Sequence, residues 1–116
     1  MDIRKFIKSF DYAIQGIITA MREQNFRFHL LSAVIVIIAG LFTGLSILEW
    51  IVIILVIALV IGAEMLNTAI ERVVDLVSPD YHPLAKQAKD IAAASVLVFA
   101  ACSVIIGMLI FLPKRV

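Results

Sequence analysis

The chain has 116 residues, 63% of them hydrophobic, with a formal net charge of +1 and a mean hydropathy of +1.08. This apolar content is far above that of a soluble domain, so the composition excludes an ordinary water-soluble protein and predicts one small membrane domain, residues 1–116. The chain has one cysteine, Cys102, which excludes a disulfide framework and a cluster of thiolate metal ligands.

Residues 1–25 are predicted to form an amphipathic helix. Between residues 3 and 22 apolar side chains recur every three or four positions, and Arg4, Lys5 and Lys8 lie between them. A helix with a basic polar face of this kind lies in the membrane interface. Charged residues precede any long apolar core, so we expect this segment to belong to the mature protein rather than to a signal peptide.

Three apolar segments follow and predict three membrane helices, at residues 29–48, 50–77 and 85–112. Residues 30–48 and 91–113 carry no charged side chain, and either segment is long enough to cross the roughly 30 Å hydrocarbon layer. The middle segment opens with an uncharged run that is short for a span, so it must continue through Glu64. The predicted fold class is an all-α membrane protein with an N-terminal surface helix.

Polar side chains share one face of the middle helix. They recur at positions i, i+3, i+4, i+7 and i+11, which all fall on one side of an α-helix: Glu64, Asn67, Thr68, Glu71 and Asp75. An ionisable group inside a membrane helix is energetically costly, so its default interpretation is functional. The alternative is a solvated face, which the apolar run before Glu64 argues against.

The distribution of basic residues predicts the orientation. Eight of the ten lysines and arginines precede the first membrane segment or surround the polar connection at residues 78–90, and none lies at residues 42–50. Pro79 and Pro83 exclude one continuous helix through that polar connection. The positive-inside rule then places the N-terminus and the polar connection in the cytoplasm and the C-terminus outside.

The predicted cytoplasmic end combines carboxylates, an amide and lysines. Carboxylate oxygens suit magnesium, which proteins hold by one or two carboxylates together with nucleotide phosphates, and lysine can bind those phosphates. A carboxylate set deeper in the apolar layer could act as a base toward a lipid hydroxyl. The chain contains no glycine-rich phosphate loop, and no nucleic-acid partner is expected. From the residues alone, a transporter, an interaction protein and a lipid enzyme all remain open.

Three segments carry a resemblance to a known family. The run E-x-L-N-T-A-I-E-x-V-V-D at residues 64–75, with D-Y-H at 80–82 and A-K-D-x-A-A-A-x-V-L at 88–97, resembles the bacterial integral-membrane diacylglycerol kinases. The segment E-x-N-F-R-x-H at residues 23–29 resembles their Gram-positive-type branch, whose members are typically undecaprenol kinases. The similarity covers nearly the whole chain.

The resemblance implies a homotrimer in the bacterial plasma membrane, with active sites shared between subunits on the cytoplasmic side. It implies ATP as the phosphoryl donor, Mg²⁺ as the cofactor and undecaprenol as the acceptor, with diacylglycerol as the alternative. His29 stands where the proteobacterial branch tends to carry Glu, which favours the polyprenol. A plain interfacial role for this histidine stays open.

The resemblance also implies a role for particular residues of this chain. Glu64 corresponds to the catalytic base and Asn67 to the amide beside it, while Glu23 and Glu71 correspond to the magnesium ligands. The positions that correspond to nucleotide contacts are Tyr12, Asp80, Tyr81, His82, Lys89 and Asp90. Asp75 occupies a further motif position without an assigned role.

Overall fold

The computed structural model describes residues 2–115 and confirms the predicted all-α fold. Within those residues the chain forms four α-helices followed by a short 3-10 helix at Leu112–Arg115: α1 (Ile3–Ala20), α2 (Gln24–Thr43), α3 (Ile47–Val77) and α4 (Pro83–Phe111). Three segments of the described chain are long and apolar enough to cross a membrane: Gln24–Thr43, Ile47–Val77 and Pro83–Lys114.

The surface helix α1 ends earlier than its apolar rhythm suggests. The Asp2 carboxylate caps its first turn by accepting hydrogen bonds from the backbone N–H groups of Arg4 and Lys5, at 3.0 and 3.4 Å. The helix stops at Ala20, which is also the residue of α1 that is buried. A sharp turn follows, in which the Arg27 guanidinium donates hydrogen bonds to the carbonyl oxygens of Met21 and Arg22, at 2.9 and 3.1 Å.

The first membrane helix, α2, consequently begins at Gln24 rather than near residue 29. At its other end it stops at Gly44, whose φ of +72° lies in the left-handed region that favours glycine. Gly40 lies inside the helix and makes room for α3, because a Cβ atom there would meet Leu45 Cδ1 and Trp50 Cη2 at 2.8 Å.

A three-residue connection joins α2 to α3. The Ser46 hydroxyl accepts a hydrogen bond from the Glu49 N–H at 3.2 Å, and the Glu49 carboxylate accepts one from the Ser46 N–H at 2.9 Å, which forms a capping box. Lys114 Nζ lies 3.1 Å from Oε1 of the same carboxylate, so the 3-10 helix that follows α4 lies beside this connection. We call residues 40–50 with Lys114 the hairpin end.

Helix α3 is the centre of the packing. It lies against α2 and, more extensively, against α4, and it also touches α1. The buried apolar residues are mostly small or medium in size, including Ala33, Ile53, Val60, Ala92 and Val96. Large apolar side chains cover the outer surface, and the radius of gyration is 17.4 Å, against about 13 Å for a compact chain of this length. Lipid or further subunits must therefore cover much of this surface.

A five-residue connection joins α3 to α4. The Ser78 hydroxyl donates a hydrogen bond to the Asp80 carbonyl oxygen at 2.9 Å. His82 caps α4 by accepting a hydrogen bond at Nδ1 from the Leu84 N–H, 3.1 Å away. Pro83 occupies the first helical position, where its missing N–H costs nothing, so α4 begins two residues before the predicted start at residue 85.

Candidate functional site

The polar face of α3 changes from buried to exposed along the helix. Counted from Ile47 at the hairpin end, Glu64 lies about 25 Å along the axis and Glu71 about 36 Å, at a rise of about 1.5 Å per residue. The distance from Ile47 to Glu64 is therefore shorter than the roughly 30 Å thickness of a hydrocarbon layer, and the distance to Glu71 is longer. Glu64 is only 3% exposed, whereas Asp75 is exposed.

Glu64 has few partners for a buried carboxyl group. Its Oε2 atom is 3.6 Å from Nε2 of His29 on α2, and both side chains are largely shielded. Thr68, one turn further on, donates its hydroxyl hydrogen to the Glu64 backbone carbonyl at 3.1 Å and leaves the carboxylate alone. Within residues 2–115 the Glu64 carboxylate therefore has this one long contact and no hydrogen bond.

Asn67 connects the buried and exposed parts of this face. Its Nδ2 atom donates a hydrogen bond to Glu71 Oε1 at 3.1 Å, and the residue as a whole is 6% exposed. Its Oδ1 atom is buried and has no hydrogen-bond partner among the described residues. A buried acceptor without a partner costs about 1–3 kcal/mol, so this atom is suited to accept a hydrogen bond from a ligand.

Glu23 reaches the same level of α3 from the turn between α1 and α2. Its Oε1 atom is 3.2 Å from Arg72 Nη2, and Arg72 directly follows Glu71 in the chain. The ion pair therefore ties the turn to α3 beside Glu71. Within residues 2–115, no three His, Cys, Asp or Glu side chains converge on one point in the manner of a protein-only metal cage.

A polar cleft of about 370 Å³ lies between the ends of α3 and α4. Lys89 Nζ, on α4, is 2.7 Å from Asp75 Oδ1 on α3, and Lys86 Nζ is 2.6 Å from Asp90 Oδ2. The cleft brings together five of the residues singled out from the sequence: Asp80, Tyr81, His82, Lys89 and Asp90. Tyr12 does not line the cleft; it lies on α1 and is 63% exposed.

A second, apolar cavity of about 100 Å³ lies deeper, between α2, α3 and α4. Its wall on α3 runs from Ile53 to Ile61, which is one turn before Glu64, and His29 closes it at that end. The cavity and the polar cleft therefore lie on the two sides of Glu64 along α3. We call residues 23–29 with residues 64–90 the polar rim.

Sequence reasoning missed the partners of several of these residues. Arg72 was counted only as a basic residue near a connection, and it pairs with Glu23. Asp75 had no assigned role, and it pairs with Lys89. Both contacts join residues that are far apart in the sequence, so no spacing rule could have found them. The His29 contact with Glu64 was missed for the same reason.

The fold and this arrangement define a class: a polytopic helical membrane protein with a carboxylate, amide and lysine cluster at one end of its membrane helices. The profile of the family described as "Prokaryotic diacylglycerol kinase" matches residues 11–111. The chain is 53% identical to the undecaprenol kinase of Bacillus subtilis over 114 residues, covering 97% of this chain and 93% of that protein. The chain belongs to the prokaryotic diacylglycerol kinase family of membrane lipid kinases.

More distant relatives are named diacylglycerol kinases. The chain is 46% identical to the diacylglycerol kinase of Synechocystis over 90% of its own length, and it spans 61% of that protein. It is 30% identical to the diacylglycerol kinase of Escherichia coli K12, with 87% of this chain and 84% of that protein covered. The predicted family and the predicted lipid kinase activity are thus confirmed.

Proposed function

We propose that this chain is an undecaprenol kinase, which transfers the γ-phosphoryl group of ATP to the hydroxyl of undecaprenol. The observation that carries the proposal is a buried Glu64 between an apolar cavity and a polar cleft, in a chain 53% identical to a protein named undecaprenol kinase. An acceptor that is a lipid alcohol requires this arrangement, because its tail needs an apolar surface and its hydroxyl must meet a nucleotide from water.

Glu64 is the general base in this proposal. Its carboxylate takes the proton from the lipid hydroxyl as the hydroxyl oxygen bonds to the γ-phosphorus and the bond from that phosphorus to the β,γ-bridging oxygen breaks. The products are the lipid phosphate and ADP, with the proton held at first on Glu64. Asn67 is the amide beside the base. Because the single hydroxyl hydrogen goes to Glu64, Asn67 Oδ1, which has no partner in the described chain, remains able to accept a hydrogen bond from a different donor in the site.

Glu71 and Glu23 are proposed as the magnesium ligands. Proteins usually bind Mg²⁺ through one or two carboxylate groups, and water and phosphate oxygens supply the other ligands. Glu71 and Glu23 would provide two such carboxylates. The Asn67 amide already orients Glu71 by its hydrogen bond to Oε1, and the Arg72 pair holds Glu23 nearby. Glu71 and Glu23 would hold a Mg²⁺ ion, and its charge would offset the negative charge of the phosphates during phosphoryl transfer.

The polar cleft is proposed as the nucleotide site. Lys89 offers a positive charge to the phosphates and is held at the cleft by Asp75, while Asp80, Tyr81, His82 and Asp90 line the rest. Tyr12, on the exposed surface of α1, is proposed as an additional nucleotide contact. A homotrimer with shared sites would let Tyr12, which lies outside the cleft of its own subunit, reach the cleft of a neighbouring subunit. It would also cover exposed apolar faces of the membrane helices.

The polar rim is proposed to face the cytoplasm, where ATP is available. The charge distribution supports this orientation. Lys114 and Arg115 are the two basic residues placed outside, against the positive-inside rule, but the charge of Lys114 is paired with Glu49. A reporter fused after residue 116 is expected to read as non-cytoplasmic; a cytoplasmic signal contradicts the orientation.

The test of function is a phosphorylation assay with purified protein in detergent, radiolabelled ATP and Mg²⁺. We expect label in undecaprenyl phosphate and at least about tenfold lower kcat/KM with diacylglycerol, which corresponds to about 1.4 kcal/mol of transition-state discrimination. The Glu64→Gln protein, purified and assayed in the same way, is the negative control. A preference for diacylglycerol would replace the proposal with a phosphatidic-acid-forming kinase, as the relatives of that name suggest. Label in neither lipid would leave a transport or interaction protein.

A further inference from the structure

His29 faces the carboxylate that we propose as the base. Its Nε2 atom lies 3.6 Å from Glu64 Oε2, with the imidazole 16% exposed and the carboxylate side chain 4% exposed. This distance is a little longer than a hydrogen bond. Catalytic hydrogen bonds in ligand-free enzymes are often long and shorten in the substrate complex. The approach is set by the packing of α2 against α3, since the two residues lie on different helices.

The hydroxyl groups of the other polar side chains that line the apolar cavity already donate their hydrogens to backbone carbonyl oxygens. The Ser32 hydroxyl donates to the Phe28 carbonyl oxygen at 2.9 Å, and the Ser103 hydroxyl donates to the Ala100 carbonyl oxygen at 2.6 Å. The remaining cavity-lining residues in the described part of the chain are apolar. Among these lining side chains, the His29 imidazole is the group able to donate to Glu64.

We propose that His29 is a positioning residue for Glu64. Its Nε2–H donates to Oε2 and holds that oxygen, so that Oε1 is turned toward the acceptor hydroxyl. A free carboxylate presents two oxygens and about four lone-pair directions, and a hydrogen bond to one oxygen selects one orientation of the group. The inference rests on the proposed function, in which Glu64 receives the hydroxyl proton, and it holds for either lipid alcohol.

Three variants test this role. His29→Leu removes both ring nitrogens and keeps an apolar side chain of moderate size, while His29→Gln places an amide N–H near the former Nε2 position. Thr43→Ala, on the same helix but at the hairpin end, is the control, because the Thr43 hydroxyl donates only to the backbone carbonyl oxygens of Ala39 and Gly40. We expect His29→Leu to lower kcat about 10- to 100-fold, the scale of a small misplacement of reacting groups, with KM for ATP changed less than about threefold. His29→Gln should recover most of the loss, and Thr43→Ala should match wild type.

Two kinetic results would overturn the proposal. One is a wild-type kcat in His29→Leu. The other is a His29→Gln protein as inactive as His29→Leu while both elute from size exclusion like wild type and bind an ATP analogue normally, because a donor at that position would then be irrelevant.

A spectroscopic measurement tests the contact without the reaction. The chain has two histidines, so a ¹⁵N-histidine spectrum is assigned by the signals that His29→Leu removes. We expect Glu64→Gln to shift the ring nitrogens of His29 and to leave those of His82 in place. An unchanged His29 signal overturns the contact. Failure of the proposed function is visible separately, as wild-type protein that phosphorylates neither lipid.

Discussion

The hairpin end and the buried part of the polar rim, at Glu64 and Asn67, differ in how completely their polar groups are paired. At the hairpin end Ser46 and Glu49 cap each other, and Lys114 pairs with the same carboxylate. At the polar rim Glu64 has one long contact, and Asn67 Oδ1 is buried without a partner in the described chain. His29, Glu64 and Asn67 lie on α2 and α3, the two helices that the connection at the hairpin end joins.

The difference indicates what each end contributes. A polar group that is fully paired within the chain stabilises the folded state and has little left to offer a ligand. A buried group that is left partly unpaired lowers stability and is ready to bind. Substitutions at the polar rim should therefore reduce activity with little loss of folding, and substitutions at the hairpin end should do the reverse.

Glu64→Gln is expected to have the largest effect. Loss of a general base lowers kcat by about 10²- to 10⁴-fold, and ATP binding should persist because the cleft lies further along α3. The matched control is Glu49→Gln at the hairpin end, which should keep most of its activity. Initial rates with undecaprenol measure the change in kcat, and a separate nucleotide-binding isotherm measures whether ATP binding persists. Substantial residual activity in Glu64→Gln would remove this residue from the base role.

Lys89→Met should come next. Removing a cation from the phosphates costs about 1.5–3 kcal/mol for a charged hydrogen bond, or roughly 10- to 100-fold in kcat/KM for ATP. The result is measured by varying ATP at fixed lipid. Lys114→Met removes the other cross-element lysine pair and should leave kcat/KM for ATP unchanged. Equal effects of the two variants would contradict the assignment of the cleft to the nucleotide.

Gly40→Val tests the hairpin end through stability. The new Cβ would lie 2.8 Å from the Trp50 ring, and overpacking of this kind costs about 1–3 kcal/mol. We expect a lower thermal midpoint in detergent with normal specific activity of the folded fraction. Gly16→Val is the control, since nothing lies within 4 Å of a Cβ there. A midpoint in Gly40→Val as high as that of the control would mean that the close helix contact contributes nothing.

Ser46→Ala should give the smallest change. Loss of a serine N-cap costs about 1 kcal/mol, so the thermal midpoint should fall slightly with no change in kinetics. Ser9→Ala removes a hydroxyl that only donates to the carbonyl of Phe6 in the same helix, and it should leave the midpoint unchanged. A larger fall in Ser9→Ala than in Ser46→Ala would argue against the capping box as a stabilising feature.

The sequence predicted the fold well because the bilayer makes local signals decisive. A charge-free run long enough to cross hydrocarbon has few alternatives to a helix, and residues 30–48 and 91–113 are such runs. The helix ends were less predictable. The end of α1 depends on Arg27, which binds the carbonyl oxygens of the turn from the next helix. The role of Gly40 also depends on tertiary contacts, because its missing side chain allows the close approach of Trp50.

The site was predictable along α3 and much less so across helices. The period of 3.6 residues places Glu64, Asn67 and Glu71 on one face, and the structure gives a hydrogen bond between the last two. Pairs such as Glu23 with Arg72 depend on how the helices cross, which one sequence does not reveal. Resemblance assigned roles to single residues and was silent on these partners.

The short connection between α2 and α3 also bears on how the protein enters the membrane. Residues 44–46 are uncharged, and the first charge beyond them, Glu49, is already tied into the helix cap. A helical hairpin of this kind carries almost no solvated loop across the hydrocarbon during insertion, so translocation meets little electrostatic resistance. We therefore expect α2 and α3 to insert together as one unit. Added lysines at residues 44–46 should slow insertion, measurable with a glycosylation tag in that connection.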